Sequence, residues 1–147
     1  MLQLLVLACT ITYVTAACRR CLPMNENQKF CQADFAGVFK IRDNGTVIGV
    51  DRVYEVELRT LYRKTIITKN NPGPWKLFTP ADSRACGTTF VSNAYYVVSG
   101  YYKEIPGQLA QMTTTKCSFK QYFDIDPVPS YLPPTCVTTE SETREIL

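Results

Sequence analysis

Six cysteines limit what this chain can fold into more than any other feature: Cys18, Cys21, Cys31, Cys86, Cys117 and Cys136. A seventh, Cys9, lies in the opening stretch Met1–Ala17. That stretch has no charged side chain, an apolar run from Leu4 to Cys9, and small residues at Thr15, Ala16 and Ala17. It reads as a secretory signal peptide. The other reading, a membrane anchor, needs ~20 apolar residues, and the run is far shorter. Cleavage after Ala17 exposes Cys18 as the first residue; cleavage after Ala16 leaves Ala17 in front of it. Export places the protein outside the cell, where an even set of cysteines in a short chain reads as three disulfides. Six cysteines can pair in many ways, and the sequence does not choose among them.

Removing the leader leaves about 130 of the 147 residues, enough for one domain with a modest core. There is no internal repeat and no second apolar stretch long enough to span a bilayer, so no membrane association is expected. The 16 basic and 13 acidic side chains give a net charge of +3. The basic residues are scattered along the chain, which argues against a nucleic-acid partner. Histidine is absent. That excludes histidine-based triads, general bases and metal ligands. With no assembled nucleophile either, an enzyme is not expected, nor a resident cofactor.

Short β segments dominate the remainder. Met24–Gln32 reads as a short helix, with Asn25 as its cap and Gln28 in the capping-box position. Phe35–Arg42 reads as a strand. The DNGT sequence that follows is a β-hairpin signal, because Asn44 and Gly45 tolerate positive φ. Asn44, Gly45 and Thr46 also make an N-glycosylation sequon, which an exposed hairpin tip would suit. Val53–Arg63 is the clearest strand. Tyr54, Val56, Leu58, Thr60 and Tyr62 share one face, and Glu55, Glu57, Arg59 and Arg63 share the other, where Leu61 interrupts the polar pattern. The charged face reads as a wet sheet surface rather than a carboxylate site.

Thr65–Thr68 continues the β pattern, and Asn70–Pro74 is a turn. Trp75–Thr79 and Ala94–Lys103 are strands, with a loop carrying Cys86 between them and a turn at Pro106 and Gly107. Leu109–Cys117 reads as the last strand and Phe119–Phe123 as a helical turn. Asp126–Pro134 is irregular, and Val137–Leu147 a flexible polar tail. Five or six short strands with little helix suggest a small barrel or sandwich; a five-stranded Greek-key barrel of the OB type is one candidate.

Cys18 and Cys21 form a CxxC. A redox reading needs a βαβ setting, and here the pair directly follows a leader. A zinc reading needs a second close cysteine pair, which is absent. Two structural half-cystines are the simpler reading.

The order of cysteines and the phrases around them carry a resemblance. A close pair is followed by a third cysteine, and then come Cys86, Cys117 and Cys136. KFCQADFAGVFK, LFTPADSRACG, VVSGYY and TTTKCSF stand among them. From Cys18 to about Cys136 the chain resembles the N-terminal inhibitory domain of the tissue inhibitors of metalloproteinases, a netrin-like module. The resemblance is to single-domain members of the kind found in invertebrates, including parasitic nematodes, since vertebrate members carry a second cysteine-rich domain. It implies an all-β, OB-type barrel with short flanking helices over residues 18–136. It also implies the pairing Cys18–Cys86, Cys21–Cys117 and Cys31–Cys136.

In that family the N-terminal cysteine chelates the catalytic zinc of a target protease through its α-amine and carbonyl oxygen. The resemblance therefore implies a secreted monomer whose partner is a zinc metalloproteinase of the matrix type. Cys18 would chelate the partner's zinc. Arg19 and Arg20 would sit at the specificity subsite, Cys21, Leu22 and Pro23 would continue the wedge, and Ser83, Arg84 and Ala85 would line it. Two departures bear on this. The family has one residue between its first two cysteines where this chain has two, and its second residue is usually small and uncharged where this chain has Arg19. The arginines favour a rival expectation, a binding module that acts on a receptor or matrix protein without inhibition.

Overall fold

The computed structural model describes Cys18, residues 21–63 and residues 73–137. Strand β1, Phe35–Ile41, shows how the fold is organised, because it is buried on both faces and does not alternate. Phe35, Phe39 and Ile41 point into one cluster with Tyr54, Val56, Leu77, Phe90, Tyr96, Val98 and Met112. Ala36 and Val38 point the other way, into a second cluster with Phe30, Val97 and Phe119. A strand covered on both sides reads as a continuous apolar run.

The other strands are β2 (Thr46–Ile48), β3 (Asp51–Arg63), β4 (Trp75–Pro80), β5 (Tyr95–Lys103), β6 (Gln111–Thr113) and β7 (Lys120–Phe123). β1 pairs with β3, β3 with β4, β4 with β6, β6 with β5, and β5 returns to β1. Five strands therefore close into a barrel, antiparallel except for the parallel step between Leu77–Phe78 and Met112–Thr113. This is the five-stranded OB-type Greek-key barrel, and the first cluster is its interior. Strands β2 and β7 lie outside the closed ring, paired with β3 and β5.

The second cluster is the underside of a short helix, α1, Glu26–Cys31. Its N-terminal cap follows the sequence reading, although the helix begins at Glu26 rather than Met24. The Asn25 side chain accepts from the Gln28 amide at 2.8 Å, and the Gln28 side chain accepts from the Asn25 amide at 3.0 Å. With the cap satisfied, one face of the helix buries Phe30 against Phe119, ring to edge at 5.7 Å. Ser99 ties the layers together: its hydroxyl donates to the Lys29 carbonyl and accepts from the Phe119 amide, each at 2.9 Å.

Four expectations need correction. The DNGT segment is not the hairpin turn. Ile48 pairs with Asp51, so the reversal is at Gly49–Val50. The residues before β2 form an irregularity where β1 hands over to β2 along the same partner strand: Ile41 pairs with Val56, and Thr46 with Val53. Asp43 Oδ1 holds this stretch by accepting from Gly45 N and Glu55 N. Gly45 does take positive φ, and a Cβ there would press on the Tyr54 ring. Asn44 stays exposed, as a glycan requires.

The last barrel strand is only three residues long. Thr114 still donates its amide to the Phe78 carbonyl at 2.9 Å, the turn after it leaves the ladder, and Phe119–Phe123 is not helical but leads into β7 along β5. The spacing of Phe119, Tyr122 and Phe123 imitates a helical face. Aromatic residues suit an edge strand equally well, and the pairing with β5 decides. Among the described residues there are also seven strands where five or six were expected, because β2 and β7 lie outside the barrel.

Leu61 explains itself through register. The β1–β3 ladder shifts between Ala36 and Gly37 and again between Val38 and Phe39. The shifts leave Tyr62 and Arg59 as extra residues on β3. Leu61 consequently packs on the barrel interior with Leu58, while Tyr62 turns to the second cluster. The charged face of β3 is wet, as expected: Glu57 pairs with Arg42 and Arg59, and Arg59 reaches Asp126 at 2.8 Å. The strand expected at Thr65–Thr68, the start of the turn at Asn70, and all of the tail beyond Val137 lie outside the described residues.

Candidate functional site

The chain entering the barrel at Cys18 is fixed to two loops by sulfur and by hydrogen bonds. The disulfides are Cys18–Cys86, Cys21–Cys117 and Cys31–Cys136, with Cα separations of 5.1, 5.2 and 5.4 Å. They are the pairs the resemblance implied. They span 68, 96 and 105 residues of sequence, loops long enough that each contributes about 4 kcal/mol in the chain-entropy account.

The first loop follows β4. Asp82 organises it, with Oδ1 accepting from the Arg84 amide at 2.8 Å and its carbonyl accepting from Ala85 and Gly87 at 3.0 Å. A single 3-10 turn, Ser83–Ala85, results, and Cys86 ends it in the left-handed region at φ 69. Gly87 must follow, since a Cβ there would lie 2.1 Å from the Pro80 carbonyl oxygen. The second loop is a tight turn at Thr115–Ser118. Ser118 Oγ accepts from Thr115 N, and Thr115 Oγ1 accepts from Cys117 N, both at 3.2 Å. Lys116 joins the loops: its amide donates to the Cys86 carbonyl at 2.9 Å and its ammonium to the Ser83 carbonyl at 3.4 Å.

Onto this double loop the entering chain is laid. The Cys18 nitrogen donates to the Arg84 carbonyl. Leu22 is 75% exposed, and Pro23 is exposed beside it. Ser83, Arg84 and Ala85 are all exposed; the Arg84 guanidinium pairs with Asp82 at 3.1 Å in open solvent. Hydrogen bonds from Arg84 hold the Asp82 carboxyl below its usual range. Of the expected wedge residues, Leu22, Pro23, Ser83, Arg84 and Ala85 are thus exposed, and the half-buried Cys18 and Cys21 tie the two stretches into one ridge. Arg19 and Arg20 fall outside the described residues. Beside the ridge, a groove of about 350 Å³ opens between Leu22, Met24, Gln32, Tyr101 and Cys117.

The sulfurs of Cys18, Cys86 and Cys117 lie within 4.8 Å of one another. All three are in disulfides and have no thiolate to offer a metal. Asp82, Gly87 and Lys116 are the site residues that sequence reading passed over. An Asp two positions before the capped amide is an Asx-turn signal, and it was available in PADSRACG. Lys116 carried no signal, because its role depends on the two loops meeting.

No helix among the described residues is long and apolar enough to cross a membrane. Comparison of the chain with models of known protein families gives no match, and comparison with curated proteins gives none.

Proposed function

We propose that the chain, cut after Ala17, is a secreted inhibitor of a zinc metalloendopeptidase that acts through Cys18 in the manner of the tissue inhibitors it resembles. The observation that carries this reading is the placement of Cys18. Its sulfur is bonded to Cys86 and its nitrogen gives a hydrogen bond to the Arg84 carbonyl, so the half-buried residue is pinned beside the exposed Ser83–Ala85 turn.

The chemistry follows from that placement. A free α-amine has a pKa near ~8, so losing its proton to meet a metal costs little at neutral pH. A neutral amine can give one N–H to Arg84 and keep its lone pair for the zinc of the partner. With the Cys18 carbonyl as the second donor, it displaces the water that the protease would activate. Two disulfides already fix the ridge, so little ordering entropy is lost on binding. Arg19 and Arg20 enter the subsite next to the zinc, Leu22 and Pro23 extend the contact, and Ser83–Ala85 flank it.

The test is the position of the amine. A chain beginning at Cys18 inhibits a zinc endopeptidase, and the same chain with one alanine added in front does not. Equal inhibition by the two sinks the zinc-chelation mechanism. The two arginines support a second reading, in which the ridge binds a receptor or matrix protein without inhibiting any protease. A folded chain beginning at Cys18 that inhibits no member of a zinc-protease panel favours that reading instead.

A further inference from the structure

The two bridges beneath the ridge are close enough to react with each other. Cys117 Sγ lies within 4.8 Å of both Cys18 Sγ and Cys86 Sγ, although it is bonded to Cys21. All four of these cysteines are only half-buried, so none is sealed from a small molecule. Cys31–Cys136 belongs to no such cluster among the described residues. The sequence adds a second observation. Cys18 and Cys21 stand at CxxC spacing, at which two cysteines readily bond to each other, yet each is bonded to a distant partner.

We propose that the bridges Cys18–Cys86 and Cys21–Cys117 form a thiol-exchange site, at which a small-molecule thiol converts them into Cys18–Cys21 and Cys86–Cys117. The thiolate of the small molecule attacks Cys18 Sγ, the Cys18–Cys86 bond breaks, and Cys86 leaves as a thiolate. That thiolate attacks Cys117 Sγ, and Cys21 leaves as a thiolate. Cys21 then attacks Cys18 Sγ in the mixed disulfide and expels the small-molecule thiolate. Two disulfides are present before and after, so no electrons are gained or lost and the thiol is regenerated. Lys116 stands at the loop that carries Cys86, its ammonium donating to the Ser83 carbonyl at 3.4 Å, and a cation brought to the departing thiolate would stabilise it.

The new pairing changes what the ridge can do. Cys18 and Cys21 close a small ring of their own, and CRRCLP loses its covalent ties to both loops. Any surface that needs residues 18–23 and 83–85 together comes apart. The barrel keeps its strand ladder and its third bridge. The exchange is thus an off-switch read from the surrounding thiol content, and it stands whatever partner the ridge serves.

The experiment treats the oxidised chain, beginning at Cys18, with millimolar reduced glutathione and a trace of the oxidised form at neutral pH. Samples are quenched with acid, alkylated and mapped by non-reducing tryptic digestion, with circular dichroism followed in parallel. Trypsin cuts at Arg19 and Arg20, so Cys18 and Cys21 report on separate peptides. The expected result is that Cys18–Cys21 and Cys86–Cys117 appear together and in equal amounts, while Cys31–Cys136 and the barrel's dichroism persist. Reduction to free thiols without the crossed pairs overturns the proposal. So does a crossed pair that appears only once the barrel signal is lost, or that forms no faster than Cys31 and Cys136 shuffle.

Discussion

The nitrogen of Cys18 donates to the carbonyl oxygen of Arg84, whose own amide is held by the Asp82 carboxylate at 2.8 Å. The position of the entering chain therefore depends on one carboxylate and one short turn as well as on its two disulfides. Loop chemistry that looks local sets the geometry of the ridge.

Acid should loosen that turn. Hydrogen bonds from the Arg84 side chain and then its amide lower the Asp82 pKa from its ordinary 3.8. A lowered folded-state value means that the contribution is complete above the ordinary pKa and is lost as pH falls through the lowered one. In an NMR titration, the Arg84 amide resonance should hold steady down to about pH 4 and move only below it. Asp82→Asn should abolish that movement. An inflection above pH 4 contradicts the assignment.

Gly87→Ala should cost the fold several kcal/mol. The added Cβ would lie 2.1 Å from the Pro80 carbonyl oxygen and 2.9 Å from that of Asp82, and both are backbone atoms that cannot swing aside. A destabilisation of about 2–4 kcal/mol is expected by urea unfolding. An unchanged midpoint would show that the loop is not packed as described.

Inside the barrel, the Tyr54 hydroxyl accepts from the Phe90 amide at 3.3 Å, and both residues are buried. Tyr54→Phe keeps the ring contact with Phe90 and orphans that amide. Leaving a buried donor unpaired should cost about 1–2 kcal/mol, read from the same unfolding curves. A neutral or stabilising change would mean that the bond contributes nothing.

For the proposed inhibitor, Arg19→Thr should strengthen binding to proteases with deep apolar subsites, by about tenfold, because it removes an unpaired guanidinium from the pocket. Inhibition constants for the two chains against one such enzyme decide the matter. Weaker inhibition by the threonine variant would mean that Arg19 finds a partner there.

Sequence by itself determined the features that rest on local chemistry. The Asn25–Gln28 capping box, the strand at β1, the two-faced β3 and the turn at Pro106–Gly107 each follow from a few neighbouring residues. What depends on distant residues meeting was decided by the tertiary structure. The two β1–β3 register shifts move Leu61 into the core, although period-two counting places it on the wet face. Pairing with β5 makes Lys120–Phe123 a strand against its helix-like spacing. The turn between β2 and β3 falls at Gly49–Val50, because β2 finds its partner in β3. The disulfide partners belong with these: six cysteines in a line carry no pairing of their own, and only barrel closure brings Cys18 to Cys86 and Cys21 to Cys117. The ridge was legible as a set of residues through resemblance. Its supports, Asp82, Gly87 and Lys116, were not, because their roles exist only where two loops meet.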